Sequence, residues 1–181
     1  MLTPLENERD IVYRCQQGDL KGYRLIYNHF SQPLLRLGLS LLKSQEDAED
    51  AVQATFVRLY LSVGQFQIRS SLGTYLFRIM VNTCMDTLKK RKNFRPQEFA
   101  GAESVYLSQD PLRLDLEKGV AALPERIRLC FVLFAVEGCK HSEIAEIMDL
   151  SIGTVKAHIF QAKSRLRRLF AEKWSGTGYE L

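Results

Sequence analysis

Two groups of residues have types and spacings suited to chemistry on a polyanion. The first is Lys156, Lys163, Arg165, Arg167 and Arg168, arranged around an apolar stripe of Val155, Ile159, Ala162, Leu166 and Leu169 at steps of four and three. That spacing dries one side of a helix and leaves the cations in water. Ser151 stands just ahead as N-cap, able to accept from the N–H of Gly153 or Thr154. Before it come a tight turn, Met148 to Ser151, and a short helix from His141 in which Ile144, Ala145 and Met148 share a face. A short helix, a tight turn and a second helix make the unit that lays its second helix in the major groove of DNA. An ordinary amphipathic hairpin with a solvated basic face has the same pattern, so the rest of the chain must decide between them.

The second group lies on another helix. Arg78, Asn82, Asp86 and Lys89 line one side of it, and Lys90, Arg91, Lys92 and Arg95 follow. Phe66 and Arg69 fall in the preceding loop and Tyr75 one turn into the helix. Cations that hold phosphates, next to aromatic rings on which an unstacked base can lie, are what binding of single-stranded nucleic acid requires. The acidic run Glu46, Asp47, Glu49 and Asp50 opens a helix, where the dipole favours carboxylates without any catalytic reason. Enzyme signatures are missing: no glycine-rich phosphate loop, no G-x-S-x-G, no H-E-x-x-H, and three histidines, His29, His141 and His158, without an evident cysteine or serine partner.

Composition agrees with a polyanion partner. Lys and Arg number 25 against 21 Asp and Glu, and 46% of the 181 residues are hydrophobic, enough for one large or two small cores. The charges are segregated, with acids at Glu46 to Asp50 and cations at Lys89 to Arg95 and Lys156 to Arg168. Cys15, Cys84, Cys130 and Cys139 form no C-x-x-C pair and have no histidine at zinc-ligand spacing. They read as reduced residues of a cytoplasmic protein that holds no metal or cofactor, with Cys139, in a loop, the one candidate redox thiol. No leader precedes the charged N-terminus, and no window approaches the ~20 apolar residues of a membrane span.

The elements that must position these groups are all helical. Thr3-Pro4-Leu5-Glu6 has capping-box spacing and predicts a helix from Pro4 to Gln17, stopped by Gly18. Asp19 caps a second through Ser31, with Leu20, Tyr23, Ile26, Tyr27 and Phe30 as its apolar face, and Pro33 starts a third to Leu42. A fourth, Gln45 to Ser62, follows the Ser44 cap and buries Ala48, Val52, Thr55, Phe56 and Leu59. The fifth runs from Ser71 to Lys92 and buries Leu72, Leu76, Ile79, Thr83 and Leu88. The period is then lost among Pro96, Gly101, Ser104, Ser108 and Pro111, which predicts a linker over 93–111 between domains 1–92 and 112–174, with a loose tail at 175–181. In the second domain Leu112 to Leu123 and a Pro124-initiated helix with Ile127, Cys130, Phe131, Leu133 and Phe134 precede the hairpin. The expected fold is all-α, two small helical domains on a flexible linker.

In chain order, Gln17-Gly18-Asp19, the run Asp47 to Phe56, the run Tyr75 to Asp86, Leu123 to Arg126, Glu137-Gly138, Glu143 to Ala145 and Gly153 to Lys156 resemble a bacterial RNA polymerase sigma factor of the two-domain extracytoplasmic-function (ECF) group. The resemblance covers nearly everything from Gln17 to Phe170. It implies a transcription initiation factor that is not an enzyme, that binds core RNA polymerase through Glu49, Asp50, Gln53 and Phe56 on the clamp coiled coil, and that helps melt promoter DNA. Phe66, Arg69, Tyr75, Arg78, Asn82 and Lys89 then correspond to the part that holds the opened minus-ten element. Thr154, Lys156, His158, Gln161 and Arg165 correspond to readers of the duplex minus-thirty-five element, with Lys163, Arg167 and Arg168 on phosphates. An anti-sigma antagonist, membrane-bound for many of the group, is the further implied partner, without membrane insertion of this chain.

Departures from the group's usual pattern are Tyr75 in place of tryptophan, Asp149 in place of glycine in the hairpin turn, Ala157-His158 in place of a polar-arginine pair, and an outward Phe160 with no assigned role. Gly153 to Ile159 also resembles the recognition helix of response-regulator transcription factors, which bind duplex DNA without polymerase. Such a protein needs a βα receiver or a ligand-sensing domain, and the helical N-terminal half predicts neither.

Overall fold

The structure, a computed structural model, describes residues 5–67, 70–94 and 111–174, without the side chains of 92–94, 111–113 and 172–174. Among these residues all regular structure is helical, in two compact units, one holding the helices from Glu8 to Phe94 and the other built on those from Pro111 to Trp174. Arg69, the predicted tail and most of the predicted linker lie outside the described residues, as does the Thr3-Pro4 part of the predicted capping box. Helix reaches two residues into the expected linker from the first domain, and Pro111 belongs to the helix after it.

The first unit contains α1 (Glu8–Gln16), α2 (Leu20–Leu42), α3 (Gln45–Ser62), a 3-10 turn (Val63–Gln65) and α4 (Leu72–Phe94). The expected start of α1 at Pro4 is not observed. Leu5 to Asn7 form a turn, closed by a bond from the Glu8 N–H to the Leu5 carbonyl, with Asn7 left-handed at φ 53°. Its C-terminal stop is Gly18, at φ 81°. Asp19 caps α2 as expected, accepting from the Lys21 N–H at 2.8 Å, and its carboxylate also takes the Arg14 guanidinium at 2.7 Å. That hydrogen bond, with the Lys21 N–H next, lowers the Asp19 pKa from its usual value.

The second and third expected helices are one, α2, running through Pro33. An internal proline forfeits a backbone bond and costs ~3 kcal/mol. Ile26, Phe30, Leu34, Leu37 and Leu41 continue one buried stripe across it, each 2% exposed or less. At ~1.5–3 kcal/mol for each side chain buried, the stripe outweighs the break. Leu20 and Tyr27, expected on that apolar face, are instead 72% and 51% exposed.

Helix α3 has the predicted bounds, with the Ser44 hydroxyl accepting from the Asp47 N–H. It buries Ala48, Ala51, Val52, Thr55 and Leu59, and Phe56 is half-buried. Helix α4 buries Leu72, Leu76, Phe77, Met80, Val81, Thr83 and Cys84, so its dry face is wider than the predicted stripe, and Ile79 and Leu88 sit at its margins. Arg91 ties α4 back to the others by an ion pair with Asp47 and a bond to the Leu42 carbonyl at 3.0 Å.

The second unit contains α5 (Pro111–Ala121), α6 (Glu125–Ala135), α7 (His141–Met148) and α8 (Ile152–Trp174). Its core joins Leu123, Ile127, Ala162 and Leu166, with Val120, Phe131 and Phe170 packed against it. Leu129 and Val132 are buried as well, adding to the predicted face of α6. Gly138, at φ 67°, turns the chain toward α7. Cys139 is 2% exposed and burial pushes its thiol up to about 12, which disfavours the reactive thiolate. The other three cysteines are also buried and free.

Candidate nucleic-acid interface

In the second unit α7, the turn and α8 form the expected helix-turn-helix. Asp149 adopts the left-handed conformation, φ 51° and ψ 54°, that the turn requires, one that a short polar side chain tolerates better than most. The Leu150 N–H returns to the Ala145 carbonyl at 2.9 Å, and the Ser151 hydroxyl accepts from the Thr154 N–H at 3.0 Å. Ile144 and Ile147 fill the inside of α7, with Ala145 and Met148 half-buried. Val155, Ile159, Ala162 and Leu166 bury the inner stripe of α8, and its expected last member, Leu169, is 42% exposed.

Lys156, Gln161 and Arg165 stand in solvent, while Thr154 is half-buried with its hydroxyl 2.8 Å from that of Ser151. His158 differs from them. It is half-buried, with Nδ1 3.6 Å from the Cys130 Sγ of α6, so it lies at the edge of the exposed set. At 100° per residue, the direction opposite the buried stripe is taken by Gly153, Ala157, Phe160 and Ser164. Three of these are small and let the helix axis approach another surface closely; Phe160 is the large one, 71% exposed. Lys163 lies over the Phe134 ring at 4.8 Å from its centroid and is thus partly turned toward α6.

In the first unit α4 gathers Tyr75, Arg78, Asn82, Asp86 and Lys89 on one face, at steps of three and four. Tyr75 and Arg78 are half-buried and the others exposed. The Arg78 guanidinium lies over the Tyr75 ring, 5.6 Å from its centroid. Phe66 meets the same ring at 4.8 Å with planes tilted 41°, and is itself 8% exposed, a wall of the core with its edge at the surface. Ser71 caps α4, accepting from the Thr74 N–H at 3.1 Å.

The residues predicted to meet polymerase divide between two flanks of α3. Glu49, Gln53 and Phe56 share one flank with Tyr60, beside α2. There two tilted aromatic pairs form, Tyr27 with Phe56 at 4.9 Å and Tyr23 with Tyr60 at 5.2 Å. Asp50 is on the other flank, where it lines a groove of about 440 Å³ with Arg58, Thr83, Asp86, Lys89 and Lys90. Arg58 crosses from α3 to α4, donating to the Thr83 hydroxyl at 3.0 Å and lying 3.9 Å from Asp86. The aromatic flank went unread in the sequence. Its signal was apolar residues off the core stripe: Tyr27, Val57, Tyr60 and Leu61 are each more than half exposed.

Comparison with known proteins decides the family. Residues 26–94 match the Sigma-70 region 2 family and residues 113–166 the Sigma-70, region 4 family. The ECF RNA polymerase sigma-E factor of Haemophilus influenzae is 31% identical, over 88% of this chain and 93% of that protein. The chain belongs to the ECF group of RNA polymerase sigma factors. It is thus a transcription initiation factor, which binds core RNA polymerase and directs it to promoters, and its family is not a class of enzymes.

The RNA polymerase sigma-H factor of Pseudomonas aeruginosa is 26% identical to this sigma factor, over 92% of this chain and 94% of that one. Among solved structures, CnrH in complex with the cytosolic domain of CnrY shares its fold at TM-score 0.73 and 22% identity, covering 91% of this chain and 97% of that one. RpoE of Bartonella quintana, in complex with the anti-sigma factor NepR, does so at 0.71 and 24%, covering 83% and 97%. A response-regulator factor is not favoured by these matches, since its N-terminal receiver has no counterpart in a region 2 domain. Among the described residues no helix is long and apolar enough to cross a membrane.

Proposed function

We propose that this sigma factor divides its work among three surfaces, acting as a two-point promoter clamp in the cytoplasm. Residues 1–92 dock on the polymerase clamp coiled coil and hold the melted minus-ten element; 93–111 link the domains; 112–174 read the minus-thirty-five element as duplex. The observation that carries this reading is the single exposed face of α4, on which the Tyr75 ring, its Arg78 cation, Asn82 and Lys89 stand in register. Aromatic faces take unstacked bases and the cations take their phosphates. Phe66 backs the Tyr75 ring, and Arg69 belongs to the same set.

Docking on polymerase falls to Glu49, Gln53 and Phe56 with the aromatic flank around them, and to Asp50 across the ridge of α3. On α8, Lys156, Gln161, Arg165 and Thr154 face base edges, with His158 at their margin, and Lys163, Arg167 and Arg168 neutralise phosphates. Phe160, on the outward face beside small residues, suits the C5-methyl group of a thymine. An anti-sigma antagonist is proposed as a further partner, competing for the exposed aromatic flank. The solved relatives CnrH and RpoE in their complexes with CnrY and NepR support that reading.

The test is run-off transcription from a promoter library with purified core polymerase and this protein. Promoter-selective transcripts are expected, and alanine at Lys156 and Arg165 together should abolish selection by the minus-thirty-five element. Selective transcription that survives both changes would remove the duplex-reading role. Tight, specific DNA binding without polymerase would count against a clamp that works only in the holoenzyme.

A further inference from the structure

Helix α1 precedes the segment that matches region 2, and it touches both ends of the connection leading into the face of α4. Its packing is fixed by Ile11, Val12 and Cys15 against α2, where Gly22 leaves no room for a side chain: a Cβ there would sit 2.8 Å from the Cys15 Sγ. From that anchored helix two polar side chains reach out, eight residues and hence ~12 Å apart along its axis. At one end Glu8 Oε1 accepts from the N–H of Leu72, the first residue of α4, at 2.9 Å. At the other, Gln16 Nε2 donates to the Val63 carbonyl at 3.1 Å and to the Phe66 carbonyl at 3.2 Å.

The two contacts are chemically complementary to what they hold. The first N–H groups of a helix have no partner within it, and a carboxylate is favoured there by the dipole. Ser71 satisfies the Thr74 N–H of α4, and Glu8 satisfies that of Leu72. The Val63 carbonyl, which closes the 3-10 turn by accepting from the Phe66 N–H, and the Phe66 carbonyl just after it both accept from the Gln16 amide, which ties this turn to α1. Phe66 in turn sets the Tyr75 ring from behind.

We propose that Glu8 and Gln16 are positioning residues for promoter melting, a clasp by which α1 presets the Phe66 and Tyr75 wall before a base arrives. Neither touches the nucleic acid; they act through the backbone of Val63, Phe66 and Leu72. A receiving ring already in place offsets the cost of unstacking a base without a further cost for ordering the ring. The inference rests on the reading of Tyr75 given above, and its test is arranged so that the two can fail separately.

Holoenzyme is assembled with full-length Gln16→Glu, Glu8→Ala, Glu8→Gln and Tyr75→Ala proteins on a promoter selected from the library. Open-complex formation, affinity for core polymerase and thermal melting are measured for each. Gln16→Glu keeps the shape but replaces the amide donor by an acceptor, and Glu8→Ala removes the acceptor. Each should slow opening about five- to tenfold, the scale of one or two hydrogen bonds, with polymerase affinity unchanged. Glu8→Gln, which retains an acceptor, should recover most of the rate, and Gln16→Glu should add little to the loss in a Tyr75→Ala background.

If Tyr75→Ala slows opening while both clasp variants open normally, the clasp is overturned and the minus-ten reading stands. If Tyr75→Ala itself opens normally, both are overturned. Losses in the clasp variants that follow melting temperature and polymerase affinity alike, or that persist undiminished beside Tyr75→Ala, would also overturn the clasp, leaving α1 a structural brace.

Discussion

The Tyr75 hydroxyl donates a hydrogen bond of 2.8 Å to the Ser62 Oγ, joining the first turn of α4 to the last turn of α3. Ser62 is itself anchored, its hydroxyl lying 2.6 Å from the Arg58 carbonyl one turn earlier in α3. The ring proposed to receive a base is therefore held from three sides: Ser62 at its hydroxyl, Phe66 against one part of its face and Arg78 over it. A tryptophan, usual for the group at this position, has no hydroxyl for such a tether. Tyrosine in this chain gains a fixed orientation from a neighbour on another helix.

That arrangement separates two substitutions. Tyr75→Phe keeps the stacking surface and loses the tether, and should weaken binding of a single-stranded minus-ten oligonucleotide to holoenzyme by about 1 kcal/mol or less, the scale of one hydrogen bond. Tyr75→Ala loses the stack and should cost ~1–3 kcal/mol. Fluorescence anisotropy with a labelled oligonucleotide reads both, and equal losses for the two variants would contradict the stacking role.

Gly38 sits where α2 crosses α3. A Cβ there would lie 2.7 Å from the Met80 Cε, 3.1 Å from the Ala48 Cβ and 3.3 Å from the Ala48 Cα. The methionine end can swing away, but the Ala48 backbone cannot. Gly38→Ala gains ~1 kcal/mol of helix propensity against an overpacking penalty of ~1–3 kcal/mol, so net destabilisation of the first unit is expected. Hydrogen exchange at the α2 and α3 amides should quicken, and protection equal to or above wild type would show that the crossing can widen freely.

Much of this architecture is legible in the sequence where one physical signal dominates. The Ser44 cap and the stripe after it define both ends of α3, and the α7–turn–α8 unit follows from Ser151, Asp149 and the four-three spacing of Val155 to Leu166. Legibility fails where two signals compete. Pro33 reads as a break because its local cost is visible and the buried stripe across it emerges only when α3 and α4 pack on it. At the N-terminus, the spacing from Thr3 to Glu6 suggests a cap, yet helix begins at Glu8, whose carboxylate is drawn to Leu72, 64 residues away. Contacts of that separation, with Gln16 to Phe66 and Tyr75 to Ser62, leave no periodic trace. The aromatic flank on α3 was hidden differently: Tyr60 and Phe56 look like core until the core is seen to be complete without them.

All four cysteines should resist thiol reagents in the folded protein. Burial pushes the thiols of Cys84 and Cys139 up to about 12 and those of Cys15 and Cys130 up to about 11, so at neutral pH the thiolate is scarce as well as inaccessible. The sign is that of an acid whose charged form is disfavoured by burial, and reactivity should rise only on strong alkalinisation or unfolding. Ellman's reagent should react slowly with native protein and rapidly in guanidinium. A fast phase in the native protein would show a thiol that opens, and mass mapping would identify it.

The outward face of α8 makes the most discriminating prediction about sequence reading. Lys156 and Phe160 are neighbours there, one charged and one apolar, and they should fail in different ways. Lys156→Ala should weaken holoenzyme most on promoters that depend on the minus-thirty-five element and reduce the salt dependence of duplex binding, since a cation held in the groove, even on a base edge, still displaces counterions. Phe160→Ala should leave the salt dependence unchanged. Its loss should instead be equivalent to deleting a methyl group from the DNA. If Phe160 covers a thymine C5-methyl, replacing one minus-thirty-five thymine at a time by deoxyuridine should cost wild-type protein ~0.8 kcal/mol at one position, about fourfold in affinity, and cost the Phe160→Ala protein nothing there. Equal sensitivity of both proteins to deoxyuridine at every position would place Phe160 outside the groove, whereas Phe66→Ala and Asn82→Ala should leave this duplex measurement untouched and impair opening alone.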